Sequence, residues 1–470
     1  MATLSSELTD RASNFEMTTE TNDVVIVGAG MAGLTAARAL AEAGLRVLVI
    51  EAQERIGGRI LTQHVGGEAL ELGAEFIHGR PPELWALIDE AGLETYERGG
   101  AQICFEDGAL NQCGSEMEEV FEPLEKLEHF DGPDISFAEY LDREKVSEED
   151  RGRMIGYVEG FNAADHRVVS AASLGAQQKA EDASEGDRIY RLRRGYDQLP
   201  AYLMQQIVEH KGKVQTGTPV RAINWQSGHV EVVTDAYTFR AAKAVVTLPL
   251  GVLQNGSVAI TPEPGLMLKT ASRLRMGQVC RFTLLFREPF WRSLLPQPGL
   301  SEMSFLFSFS ETPPVWWTPH PEASNSITGW VGGPRSQALA SMNANELGVH
   351  ACATLASIFG LTHNHVHGLL LGCYTHNWQN DAFSGGAYSY VATGGLNASR
   401  QMAEPVANTL YFAGEHTDMT GHWGTVHAAM RSGLRTAAQI LGLEGMKTEI
   451  LHERRRLTTT QSPKSISDVP

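Results

Sequence analysis

A chain of 470 residues, 42% hydrophobic and 20% charged, is long enough to build two or three globular cores. Its formal charge of −18 argues against a nucleic-acid partner, which needs a basic face, and no apolar run reaches the length of a membrane span. The five cysteines are odd in number and lack a C-x-x-C, so they predict a reducing compartment and no disulfide framework. The first 22 residues read as a flexible leader without the charged and apolar regions of a signal peptide. The C-terminus, Asp-Val-Pro, carries no targeting tripeptide, and a cytoplasmic location is the simplest expectation.

In chain order, the first organised stretch is residues 23–59, DVVIVGAGMAGLTAARALAEAGLRVLVIEAQERIGGR. Four apolar residues at 24–27 predict a buried strand. Gly28, Gly30 and Gly33 then make a G-x-G-x-x-G that opens an Ala-rich helix, and a second apolar strand at 47–50 ends on Glu51. This is a βαβ unit in the context that a dinucleotide fingerprint requires. Gly28 permits the tight turn, Gly30 the approach of a pyrophosphate, and Gly33 close packing of helix on strand. The helix N-terminus offers unpaired N–H groups to phosphate. Glu51 can accept hydrogen bonds from both hydroxyls of an adenosine ribose and would repel a 2′-phosphate.

Glu51 leads into Arg55, Gly57, Gly58 and Arg59, in the form E-x-x-x-R-x-G-G-R. The paired glycines let backbone run beside a dinucleotide, and the arginines can reach its phosphates. At this point the chain resembles the FAD-dependent amine oxidases, which comprise monoamine oxidases, polyamine oxidases and histone lysine demethylases. L-amino-acid oxidases and protoporphyrinogen oxidase are more distant relatives. The resemblance implies an α/β fold: a Rossmann-like FAD-binding domain of the glutathione-reductase type with an inserted α+β substrate domain. It divides the chain into a leader (1–22), a discontinuous FAD-binding domain (23–80, 186–260 and 405–445), a substrate-binding domain (81–185 and 261–404) and a disordered tail (446–470). It further implies a small-molecule amine substrate, dioxygen as acceptor, no membrane anchor, and a monomer or homodimer.

The resemblance continues down the chain. Residues 72–79, LGAEFIHG, match the family's LGA-x-W-I-H-G, whose Gly-Ala backbone runs along the flavin. This makes Gly73, Ala74, Glu75 and Phe76 candidate cofactor contacts and turns His78 toward substrate. Residues 81–185 read as mostly helical, with Met117, Val120, Phe121, Leu124 and Leu127 at helical spacing. Residues 190–199 resemble a family turn and helix, with Arg194 in place of a glycine. Residues 213–235 alternate around glycine turns and read as strands and a hairpin. Within them, Val220 stands where the family holds adenine through backbone groups. From 261 the chain is strand-rich. Phe305, Phe307 and Phe309 form a period-two stripe that reads as core. Residues 337–359 read as helical with a break near Asn343. His363, His365 and His367 could hold a metal from one strand face, but no carboxylate or cysteine pattern accompanies them. The family uses no metal, and none is expected.

The last third carries the most specific matches. HNWQNDAFSGGAYSYV, with Trp378, resembles the family's W-x-x-D-x-x-x-x-G-x-Y-S-Y. LYFAGEHTD, with Gly414 and Glu415, resembles its FAGE-x-T. Residues 425–441 read as an amphipathic helix. The resemblance aims its N-terminus, Thr425 and Val426, at the flavin pyrimidine edge, where the helix dipole stabilises negative charge. Tyr388 falls on one wall of the family's aromatic cage, and Thr425, Trp423 or His422 on the other. Ala387 stands where monoamine oxidases carry the cysteine that bonds the flavin, which implies non-covalent FAD. Arg281 stands where the family has a lysine that holds a water against the flavin, and an arginine there also suits a substrate carboxylate. The candidate catalytic residues are thus His78, Arg281, Tyr388, Trp423 and Thr425.

Three readings stay open. One is a polyamine-type amine oxidase, favoured by His78 and the AYSY sequence. Another is an L-amino-acid oxidase or other flavin oxidase of a carboxylate-bearing amine. The last is an FAD-binding protein without oxidase turnover. The lack of a long helical hairpin insertion counts against a histone demethylase.

Overall fold

The computed structural model describes residues 22–114, 122–294 and 299–443. Strand β1 (Asn22–Val27) leads through Gly28–Gly30 into helix α1 (Met31–Glu42), and the chain returns as β2 (Val47–Ile50). β1 lies parallel to β2 on one side and to the strand Thr238–Val246 on the other. Strands buried on both faces need apolar residues at every position, which is why VVIV and VLVI run unbroken instead of alternating. The sheet has eight strands. Lys213–Gln215 flanks β2, Leu410–Phe412 pairs in parallel with Thr238–Val246, and Val220–Gln226 and His229–Thr234 form an antiparallel hairpin that extends the other edge. On one face α1 packs against the helix Val426–Leu441, in a core built on Ile26, Leu34, Leu40 and Val49. The helices approach so closely that a Cβ on Gly433 would stand 2.3 Å from the carbonyl oxygen of Ala32.

A second sheet runs, in spatial order, Leu370–Thr375, Val279–Phe286, Ser326–Gly332, Val315–Trp317, Met303–Phe307, Ala101–Glu106 and Ala109–Gln112. All eight residues of Val279–Phe286 are buried, as a central strand requires. The helix Ala344–Phe359 backs it. Asn343 caps this helix through a capping box with Glu346, which accounts for the break expected there. A small sheet of Ile77–His78, Ile189–Leu192 and Thr95–Glu97 joins the two regions. The helices Phe137–Glu144, Glu148–Asn162 and Ala171–Asp182 complete the described architecture on that side.

Several expectations are corrected. Residues 95–112 are not helical: they hold three strands, two of them turned by Asp107-Gly108, whose φ angles of 51° and 76° suit the two-residue hairpin that an Asp-Gly pair signals. Cys104 and Cys113, across this hairpin, form a disulfide, so the cysteine pattern no longer argues for a reducing compartment. The phenylalanine stripe is not core. Phe305, Phe307 and Phe309 lie on the half-buried side with rings stacked at 5.8 Å, while Ser304, Leu306 and Ser308 point inward.

Leu124 and Leu127 are buried as their spacing predicts, whereas Met117, Val120 and Phe121 lie outside the described residues. The three histidines at 363–367 sit on a helix, His363–Leu369, which sets His363 and His367 one turn apart and His365 on another face. Among the described residues, metal-compatible spacing occurs instead at Glu159, Asp165 and His166, where His166 Nδ1 lies 2.6 Å from Glu159. No helix among the described residues is long and apolar enough to cross a membrane.

Candidate active site

The site begins at the glycine turn. Gly28 adopts a φ of +108°, and a Cβ on Gly33 would stand 2.0 Å from the Gly28 carbonyl oxygen, so only glycine lets α1 start this close to the strand. The Gly57 N–H donates to Ala29 (2.8 Å), which lays the second glycine pair directly on the first: a Cβ on Gly58 would meet Gly30 Cα at 3.2 Å. Glu51 accepts from the N–H groups of Ala29 (2.7 Å) and Gln53 (2.9 Å), one to each oxygen, and each oxygen keeps a further lone pair. Burial pushes its carboxyl up despite these bonds. Arg55 donates through Nη1 to Ile60 (3.1 Å), while its buried Nη2 has no partner. Helix α1 has no side-chain cap, so its first N–H groups stay available to an anion. Val220 is buried at the start of its strand, opposite Thr234.

The LGAEFIHG segment runs beside residues 59–61, with the Ala74 N–H donating to Arg59 (3.0 Å) and the Trp378 indole to Leu72 (2.8 Å). It then alternates: Glu75 and Ile77 are buried, while Phe76 and His78 face the half-open side. The Glu75 carboxylate is taken up by protein donors: Arg191 (2.9 Å), Arg281 and the Trp317 indole (3.1 Å). Burial pushes this carboxyl up, but Arg191, Arg281 and Arg98 pull it further down, to a net value below the usual carboxylate range. Arg281 also donates to the Gly73 carbonyl, so both of its terminal nitrogens are engaged and only its buried Nε lacks a partner. The Arg98 guanidinium lies over Phe305 (4.1 Å) and Phe76 (4.9 Å), and burial pushes it down to about 10. Nearby Glu71 is pushed up to about 7 by burial, against hydrogen bonds from Thr62 and Tyr196. Three guanidinium charges therefore meet one ionised carboxylate and one held partly protonated, so the cluster is net positive, and its Arg98 charge reaches His78.

His78 meets Phe161 edge-on at 5.5 Å and Phe76 at 6.2 Å. Burial and then the Arg98 charge push the imidazole down to about 4, so it is neutral at pH 7. The Tyr388 hydroxyl donates to the Phe161 carbonyl (2.6 Å), and its ring lies against Gly424, where a Cβ would stand 2.9 Å from Tyr388 Cδ2. Glu415 ties these segments together, accepting from Arg59 (2.8 Å), Ser389 Oγ (2.6 Å) and the Gly424 N–H (3.0 Å). The Gly414 N–H donates to Ser432 (2.9 Å). Thr425 caps the C-terminal helix by accepting from the Ala428 N–H (3.2 Å), which leaves Val426 as its first helical residue. The Trp423 indole is committed elsewhere: it donates to Ser399 and Asp418 (both 2.9 Å) and packs on the cluster containing Val391 and Met402.

The family model described as flavin containing amine oxidoreductase matches residues 31–441. The chain belongs to this family. A lysine-specific histone demethylase 1 homolog from Arabidopsis thaliana is 30% identical over 452 residues, covering 89% of this chain and 58% of the relative. The chain thus spans a little over half the length of the demethylase relatives it matches. Putrescine oxidase from Kocuria rosea is 28% identical, covering 93% of this chain and 98% of the relative. Among solved structures, a redesigned putrescine oxidase superposes with a TM-score of 0.77 at 23% identity, over 90% of this chain and 99% of that one.

As a flavin-containing amine oxidoreductase, the protein takes FAD, and its own residues fit that group. The Gly28–Gly33 cradle, the uncapped start of α1 and the unpartnered Arg55 Nη2 suit a pyrophosphate, and the spare lone pairs of Glu51 suit a ribose. The structure also brings in Arg98, Phe161 and Trp317, and Arg191 from the 190–199 stretch, none of which the sequence marks as a site residue. Only Gly424, a glycine just before a predicted helix, left a trace in the sequence.

Proposed function

We propose that this protein oxidises a primary or secondary alkylamine, of the polyamine type, at the carbon next to nitrogen. The product imine is hydrolysed by water to an aldehyde, and dioxygen is reduced to hydrogen peroxide. FAD, when bound, supplies the two-electron redox chemistry. The chain's residues select, orient and shield the amine.

The observation that carries this reading is the group His78, Phe161 and Tyr388, joined through the Phe161 ring and carbonyl. An alkylamine is mostly protonated at neutral pH, and only its neutral form has a free lone pair. The net positive interior around Arg98, Arg191 and Arg281 disfavours an ammonium and so favours the neutral amine. His78, neutral at pH 7, offers a ring nitrogen as acceptor without adding charge. Phe76, Phe161 and Tyr388 supply an apolar wall that excludes water from the amine. The carboxylate-bearing reading loses its motivating residue, because the terminal nitrogens of Arg281 are already held by Gly73 and Glu75. Anaerobic loss of flavin absorbance on adding an amine, reversed by air with peroxide formed, tests the proposal. A panel that bleaches only with L-amino acids, or only with an N-methylated lysine peptide, would replace it.

A further inference from the structure

Phe161 also lines a second small chamber, whose walls do not include His78. Leu124, Tyr157, Phe161, Leu174, Gln177 and Glu181 are among its walls, and its volume is about 30 Å³. That is room for one water-sized group such as an ammonium. Phe161 is the shared wall: its ring meets His78 edge-on at 5.5 Å and lies parallel to Tyr157 at 5.7 Å, with 3° between the planes. Stacked aromatic faces carry negative potential and favour a cation set against them.

Glu181 supplies the charge. Gln177 donates to one of its oxygens (2.8 Å), and the Gln177 carbonyl in turn accepts from Asn162, so the carboxylate is oriented by a short polar chain. Among the described residues no cation pairs with it. Burial, helped by the like charge of Asp182, pushes the carboxyl up to about 7, so an ammonium seated in the chamber would draw it to its ionised form. The chamber is also tied to the candidate active site through backbone. Three residues beyond Glu181, the carbonyl of Ser184 accepts from the Arg80 N–H (2.7 Å), two residues after His78.

We propose that Glu181, Tyr157 and Phe161 form a subsite for a second, protonated nitrogen of the substrate. The assignment rests on the amine-oxidase reading and narrows it to diamines and longer polyamines. The two ends are chemically complementary. The positive cluster that reaches His78 selects a neutral nitrogen, and the acidic chamber lined by Phe161 selects a charged one, so a short alkyl chain passing Phe161 satisfies both.

The test is anaerobic titration calorimetry of the flavin-loaded protein with 1,5-diaminopentane and with n-pentylamine, for the native chain and for Glu181→Gln. Glutamine keeps the size and the bond to Gln177 but removes the charge. The native protein should bind the diamine at least about tenfold more tightly than the monoamine, and Glu181→Gln should erase that preference. Equal affinity for the two ligands in the native protein overturns the assignment, and this arm stands even if the variant does not fold. A preference that survives in a folded Glu181→Gln protein also overturns it. The underlying reading fails separately. If the diamine binds through Glu181 but no amine bleaches the flavin, the subsite stands and the oxidase reading falls. If amines bleach the flavin without any diamine preference, the oxidase reading stands and the subsite falls.

Discussion

Glu75 and Arg281, 206 positions apart, form an ion pair with only 5% and 4% of their surfaces exposed. Arg191 and Trp317 complete the shell of Glu75, and Arg98 adds a third guanidinium nearby. Removing one member of a buried pair costs more than the pair contributes, because the remaining charge stays buried without compensation. Glu75→Gln should therefore lower unfolding free energy by about 3–5 kcal/mol, measured by urea denaturation of the purified proteins. A loss under about 1 kcal/mol would mean that water already solvates the cluster.

Gly33→Ala should prevent flavin loading. Its Cβ would stand 2.0 Å from the Gly28 carbonyl oxygen, forcing the start of α1 away from the turn. Gly265, where an added Cβ would meet nothing within 4 Å, serves as the control. The ratio of flavin to protein absorbance should collapse for Gly33→Ala and hold for Gly265→Ala.

Ala387 offers no thiol for a flavin bond. Acid precipitation should leave all flavin in the supernatant and a colourless pellet. Yellow colour retained by the washed pellet would contradict a non-covalent cofactor.

His416 is 1% exposed, and neither ring nitrogen has a partner. Burial pushes it down to about 4. Between pH 6.5 and 4 the unfolded chain takes up a proton here and the folded chain does not, so stability falls as pH falls through that window. The slope is about 1.4 kcal/mol per pH unit. His416→Gln should flatten the dependence of the denaturation midpoint on pH by about one proton's worth, whatever its effect on stability at pH 7.

Cys104 and Cys113 are paired, and Cys280, Cys352 and Cys373 are free. Thiol titration in denaturant should count three thiols before reduction and all five after it. Five thiols in the unreduced protein would remove the disulfide.

The parts of this molecule that are legible in the sequence are those where backbone chemistry dictates residue type over a short span. The β1–α1–β2 unit stands out because doubly buried strands must be apolar throughout and the turn between strand and helix admits only glycine. The 72–79 segment is legible only through its resemblance to the family's LGA-x-W-I-H-G. The Asp107-Gly108 hairpin is equally local, but its flanking strands carry weak alternation and do not declare themselves. Other features depend on distant parts of the chain. Arg191 lies in the family-like 190–199 stretch, but neither that resemblance nor anything near Arg98 or Phe161 marks these residues as neighbours of Glu75 or His78, since small-sheet pairing and helix packing bring them together only in the fold. The phenylalanine stripe misleads for a related reason. Period two fixes which residues share a face, but not which face is buried.

The most direct test of the account is anaerobic titration of the flavin-loaded protein with a panel of diamines, polyamines, monoamines, L-amino acids and an N-methylated lysine peptide, followed by admission of air. The account predicts rapid bleaching by diamines or polyamines, recovery in air and one peroxide per amine oxidised. A flavin spectrum that no alkylamine changes would contradict it.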